Sequence, residues 1–200
     1  LPILMNMKSD VEIWLEAEGA NFLRKIGLKP GDWVLDFGCS SGYYSIPAAQ
    51  VVGEKGGVYA LDKENDKLSQ LREKAEEKGL SNIETCITDG ELKVDLPDQS
   101  VNVILAYDVL HYLDRREKLL AEFDRVLKKE GVLSVYPKHH KDDYPLSNFA
   151  RLSLEEIIKE IERGGFSLQE KFFERLIHDE KFNRGYVLNF KPLSFFGEKS

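Results

Sequence analysis

Residues 36–45, Asp-Phe-Gly-Cys-Ser-Ser-Gly-Tyr-Tyr-Ser, set two glycines four positions apart directly after an apolar run, with Asp36 just before them. A turn of this kind lets backbone approach a ligand closely, and its usual guest is a nucleotide-like cofactor. Two more carboxylates follow apolar runs, Asp62 and Asp89. A ribose presents two adjacent hydroxyls, and one carboxylate can accept hydrogen bonds from both. Asp62, roughly twenty residues past the glycines, has the separation for that role. The exocyclic amine of adenine is a donor, and Asp89 supplies an acceptor for it. A Cβ at Gly38 or Gly42 is expected to intrude on the ligand.

The glycine spacing separates two kinds of cofactor. The dinucleotide fingerprint GxGxxG requires glycines where this chain has Ser40 and Tyr43, and a bulky Tyr there opposes the close helix–strand packing that a pyrophosphate site needs. No Gly-Lys-Ser/Thr follows, which excludes a phosphate-binding P-loop. A ligand with adenosine, a zwitterionic amino-acid tail and no pyrophosphate remains: S-adenosylmethionine.

These residues need a scaffold that brings strand ends together. Val11 to Ile26 has helical spacing, and Trp33–Phe37 reads as a buried strand before the glycine turn. Helix Ile46–Val52, strand Val58–Leu61, helix Asp66–Lys78 and strand Ile83–Thr88 follow. Val101–Ala106 is a fourth strand. Asp114 is placed to cap a helix reaching Lys129, with Glu117 at the capping-box position, and Val132–Tyr136 is a fifth strand. Ser153 and Glu156 form another capping box, opening a helix that stops at Gly164-Gly165. Phe166–Glu174 and Gly185–Lys191 then read as a hairpin joined by a loop of roughly ten residues. The expected fold is α/β: a doubly wound, mostly parallel seven-stranded sheet ending in an antiparallel hairpin, with ligands outside the carboxyl ends of its strands. One domain is expected: a helical cap (1–27), a cofactor-binding core (30–137), a substrate loop (138–152) and the hairpin (166–192).

At 200 residues, 42% hydrophobic and 32% charged, the chain has an ordinary globular composition, and no apolar run approaches a membrane span. The start, LPILMNMKSD, lacks the basic n-region and cleavage site of a signal peptide. Two cysteines, Cys39 and Cys86, form neither a disulfide framework nor a zinc site, so a cytoplasmic location is expected. A net charge of −7 disfavours an electrostatic grip on nucleic acid. The four histidines lack ligand spacing with carboxylates or cysteines, so no metal is expected.

The motifs together resemble the class I S-adenosylmethionine-dependent methyltransferases. VLDFGCSSGYYSIPAA is similar to their first motif, VYALD (58–62) to the second and CITDG (86–90) to the third. The stretch 100–137 is similar to the fourth strand, helix and fifth strand of the ubiquinone/menaquinone-biosynthesis-like branch. Departures stand at Ser40, where the family often has Gly, at Asn102, where it has an acidic residue, and at Glu130-Gly131, where Pro-Gly is usual. The resemblance implies cofactor contacts from Asp36, Gly38, Cys39, Gly42, Tyr44, Asp62, Lys63, Asp89, Gly90 and Tyr107. Asp36 is expected to orient the turn and the ligand's ammonium, and Cys39 to offer backbone amides without a reactive thiol.

Methyl transfer from a sulfonium is an in-line displacement that depends mainly on positioning; a base matters only where the acceptor must lose a proton. His111 and His139 are candidates for that base. His139 and His140 are read as part of a solvated loop, and Trp14 and Phe22 as part of a roof over the pocket. A small or medium-sized acceptor is the leading expectation. Alternatives are an RNA or protein acceptor, a non-catalytic adenosylmethionine-binding protein, and a dinucleotide-dependent oxidoreductase.

Overall fold

The computed structural model describes residues 8–88, 92–141 and 152–193. Asp89, Gly90, Arg151 and Phe195-Phe196 lie outside them, as does most of the expected substrate loop. The amino-terminal helix is α1 (Asp10–Ile13), a π-helical turn (Trp14–Glu18) and α2 (Gly19–Lys25). Ser9 and Glu12 form a reciprocal capping box at its start. There follow β1 (Trp33–Phe37), α3 (Ser45–Val52), β2 (Gly57–Asp62), α4 (Asn65–Glu77), β3 (Ile83–Ile87) and β4 (Val101–Tyr107). A 3-10 turn (Leu110–Tyr112), α5 (Arg116–Val126), β5 (Leu127–Tyr136), α6 (Leu154–Arg163), β6 (Phe166–His178) and β7 (Lys181–Pro192) complete the chain.

The strands form one seven-stranded sheet in the order β3-β2-β1-β4-β5-β7-β6, parallel except where β7 pairs with β5 and β6. The chain winds outward from β1 through β2 to β3, then crosses back to lay β4 on the other side of β1. That reversal puts a crevice at the carboxyl ends of β1 and β4, the usual ligand position in such sheets. Period-two alternation sends successive buried side chains of β1 to opposite faces. Val34 joins a core with the amino-terminal helices, α3 and α4, while Leu35 joins one with α5 and α6.

Three local expectations are corrected. Arg115, not Asp114, occupies the N-cap of α5, and no side chain caps it. The same helix stops at Val126 rather than Lys129, because buried Leu127 pairs with Val101 and extends β5 by five residues before Val132. Sheet pairing overrides the helical spacing there. The terminal hairpin has no ten-residue loop: β6 and β7 pair up to His178↔Lys181, and only Asp179 and Glu180 turn the chain. Both have positive φ, 49° and 64°, as a two-residue hairpin turn requires. Glu is unusual in that conformation, so the turn has little sequence signature.

Candidate functional site

The glycine turn is built by β1 and β2. Gly38 and Cys39 donate backbone N–H groups to the Leu61 carbonyl at 2.8 and 3.0 Å, tying the turn to the end of β2. Asp62 finishes the connection: Oδ2 accepts from the Ser40 N–H at 2.7 Å and Oδ1 from the Glu64 N–H at 3.0 Å. Each carboxylate oxygen keeps a further lone pair for hydroxyls of a ligand. Ser40 sits at φ 48°, where glycine is favoured, and its bond to Asp62 offsets part of that strain.

Gly38 and Gly42 have φ of 79° and 86°. The reason they are glycine differs from the expected one. A Cβ on Gly38 would stand 2.6 Å from Val109 Cγ2, and one on Gly42 2.2 Å from Leu71 Cδ1. Protein packing, rather than a bound ligand, fills those positions. Gly42→Ala is therefore expected to destabilise the chain by about 2–4 kcal/mol through backbone strain and overpacking. A denaturant midpoint measured beside wild type checks this.

Asp36 is buried beneath the turn and accepts a hydrogen bond from the Ser45 hydroxyl at 2.5 Å. Burial pushes its carboxyl up to about 7; the Ser45 bond opposes the rise and the Asp62 charge adds to it. The native chain thus holds a proton that the unfolded chain releases near pH 4. The resulting stability is complete below the unfolded pKa and is lost as pH rises through about 7. Raising pH from 5 to 8 is expected to lower the unfolding free energy by about 2–3 kcal/mol, and Asp36→Asn to flatten that dependence. Denaturant melts of both chains at the two pH values decide the point.

Aromatic rings line the floor. Tyr44 packs edge-on to Tyr107 (centroids 4.6 Å apart) and Trp14 (5.4 Å), and its hydroxyl donates to the Ile177 carbonyl at 2.8 Å. The Tyr107 hydroxyl is 2.6 Å from Ser134 Oγ, which donates onward to Asn189. The structure therefore puts both phenol groups into packing contacts beneath the turn. Trp14 and Phe22 are 1% and 5% exposed and belong to the core, not to a roof. Cys39 is buried, and burial with the Asp36 and Asp62 charges pushes its thiol far up, which opposes formation of the nucleophilic thiolate. Lys63 is exposed, its ammonium 5.9 Å from the Tyr112 ring centroid. Asn102 replaces the acidic residue without loss, because its Oδ1 accepts from the Trp33 N–H and the Lys128 ammonium, both at 3.0 Å.

Beyond the turn, β4, β5 and β6 end in a polar cluster. Asp108 follows β4 at φ 54° and donates its N–H to the Tyr136 carbonyl. Its Oδ1 lies 3.6 Å from His111 Nδ1 and 3.4 Å from His139 Nε2; its Oδ2 lies 2.8 Å from His178 Nε2. Burial, only partly opposed by the Asp108 charge, holds His111 down to about 4, so it is neutral. The Asp108 carboxylate raises His178. His139 and His140 are buried, and Lys138 with them, which corrects the reading of a solvated loop. Sequence spacing brought forward His111 and His139 but missed Asp108 and His178. Asp108 was legible as the residue after a parallel strand, where site residues concentrate. His178 was hidden by the mistaken loop.

Comparison with known proteins agrees with this geometry. The chain is 30% identical over 109 residues to an arsenite methyltransferase of Halobacterium salinarum, covering 54% of this chain and 27% of that one. It is 26% identical over 169 residues to a sterol 24-C-methyltransferase of Gibberella zeae, covering 80% and 44%. The chain thus spans less than half the length of these curated relatives. A solved S-adenosylmethionine-dependent methyltransferase from Aquifex aeolicus superposes with a TM-score of 0.68 at 29% identity, over 90% of this chain and 89% of that one. A Pyrococcus horikoshii protein shares the fold at a TM-score of 0.69 and 18% identity, over 94% and 96% of the two chains. The family model for the methyltransferase domain matches residues 28–185, and with that match the chain belongs to the S-adenosylmethionine-dependent methyltransferases.

Proposed function

We propose that this chain transfers the methyl group of S-adenosylmethionine to a small or medium-sized acceptor by in-line displacement. The observation that carries the reading is Asp62. It closes β2 beside the glycine turn, already holds the Ser40 N–H, and faces the crevice where the sheet reverses direction. In this reading Asp62 binds the ribose hydroxyls and Asp36 meets the ammonium of the amino-acid tail. Gly38 and Cys39 present backbone, Asp89 and Gly90 serve the adenine, and Lys63 lines the entrance. Tyr44 and Tyr107 support the floor.

The acceptor side is the Asp108–histidine cluster, which borders the turn through the contact between Val109 and Gly38. A small acceptor agrees with the relatives, whose names specify arsenite, sterol and aklanonic acid methylation. Among the described residues no helix is long and apolar enough to cross a membrane, and Cys39 and Cys86 are free thiols. A reducing, cytoplasmic setting suits them.

The test is transfer of tritiated methyl from S-adenosylmethionine into a fractionated cell extract. Label in the small-molecule fraction is the expected result. Label confined to RNA or protein would replace the acceptor class, and no label despite tight cofactor binding would reduce the chain to a cofactor-binding protein.

A further inference from the structure

Three strands that are far apart in sequence deliver one carboxylate and two imidazoles to a single point. The ligand-type atoms of Asp108, His139 and His178 all lie within 4.8 Å of one another. The side chains of His139 and His178 are 11% and 9% exposed, and that of Asp108 is 27% exposed, so the point is largely screened from water while one side stays open. Asp108 Oδ1 and His178 Nε2 are buried atoms with no well-aligned hydrogen bond among the described residues. Buried polar atoms in native proteins are normally satisfied, and a site for a bound ion is one of the accepted reasons when they are not.

We propose that Asp108, His139 and His178 form a binding site for a first-row divalent transition metal such as zinc. Two imidazoles and one carboxylate with a position left over is the donor set of a catalytic site, not a structural one. Imidazole nitrogen selects zinc, iron, cobalt or nickel over magnesium and calcium, which prefer all-oxygen shells. Ligand atoms about 2.0–2.1 Å from a tetrahedral zinc ion stand roughly 3.3 Å apart. Asp108 Oδ1 stands 3.4 Å from His139 Nε2, near that spacing, while His178 Nε2 is 2.8 Å from the other oxygen, Oδ2, so binding an ion requires the carboxylate to turn and His178 to draw back slightly.

The ion's role rests on the methyltransferase reading. At the open position the cation takes a hydroxyl oxygen of the acceptor and lowers its pKa, so the proton leaves to solvent at neutral pH. A lone pair of that oxygen then forms the O–CH3 bond while the C–S bond breaks. The C–S electron pair stays on sulfur and converts the sulfonium to a neutral thioether.

The experiment is titration of chelator-stripped full-length protein with cobalt(II), read by its visible absorption bands, followed by zinc competition. Each sample is also titrated calorimetrically with S-adenosylhomocysteine to report folding. One equivalent of cobalt is expected, displaced by zinc, with affinity at least thirtyfold lower in His139→Gln and in His178→Gln. Zinc is also expected to raise the melting temperature of wild type. Two results overturn the site: wild type that binds S-adenosylhomocysteine but takes up no cobalt, or cobalt uptake unchanged in both variants. Should both variants lose S-adenosylhomocysteine binding, the wild-type zinc stoichiometry and melting shift decide alone. One-to-one uptake with a raised midpoint sustains the site, and neither overturns it. Metal uptake without S-adenosylhomocysteine binding leaves the metal site standing and removes the methyltransferase reading.

Discussion

Replacing Asp62 with Ala is expected to weaken S-adenosylhomocysteine binding at least a hundredfold in a calorimetric titration. Three interactions are removed together. The carboxylate holds the Ser40 N–H at 2.7 Å and the Glu64 N–H at 3.0 Å, and its remaining lone pairs are the acceptors proposed for the ribose. Hydrogen bonds to a charged group contribute about 1.5–3 kcal/mol each, so the ribose contacts alone account for a loss of about 3 kcal/mol or more, a factor of a hundred and above. The same substitution frees Ser40 from the bond that offsets its positive φ, and the turn loses its preformed shape. Asp62→Asn keeps one carbonyl oxygen and is expected to fall between, near a tenfold loss. Equal affinity for all three chains would remove Asp62 from the site.

Trp14→Ala is expected to lower the unfolding free energy by about 3–5 kcal/mol, the range for truncating a large buried aromatic side chain. Trp14 is 1% exposed, and its ring packs on Phe22, Tyr44 and Phe182. Its indole N–H donates to the Tyr43 carbonyl at 2.7 Å, so the amino-terminal helix is fastened directly to the end of the glycine turn. The close fit is visible at Gly19, where a Cβ would stand 2.7 Å from Pro47 and 2.9 Å from the indole. Trp14→Phe retains most of the burial but leaves the carbonyl without its donor, and about 1–2 kcal/mol of loss is expected. Urea melts of the three chains give the ranking. A loss below about 1 kcal/mol for Trp14→Ala would show that the helix does not support the turn.

The glycine turn and its carboxylates were legible in sequence because local chemistry fixes them. Asp36, the two glycines and Asp62 lie in short strand–turn units whose residue types are dictated by backbone geometry, and the turn joins them as their spacing implied. Even there, the glycines turned out to answer to Leu71 and Val109, neighbours from other elements that no local pattern announces. The parallel order of the sheet followed from strand–helix alternation. The end of α5 did not, since Leu127 fits a helical stripe and a strand equally well until its pairing with Val101 is known.

The Asp108–histidine cluster was far less visible. Asp108, His139 and His178 are dispersed over seventy residues, and their meeting depends on β4, β5 and β6 ending at one level. No spacing rule connects residues brought together by a crossover and a hairpin. The hairpin itself carried no glycine or asparagine to mark its turn, so His178 seemed to lie in a loop.

The claim on which everything else depends is that the glycine turn and Asp62 receive adenosylmethionine rather than a dinucleotide. Parallel calorimetric titrations of the wild-type protein with S-adenosylhomocysteine and with NAD test it most directly. The account predicts saturable one-to-one binding of S-adenosylhomocysteine and no heat of binding from NAD; saturable binding of NAD with none of S-adenosylhomocysteine would contradict it.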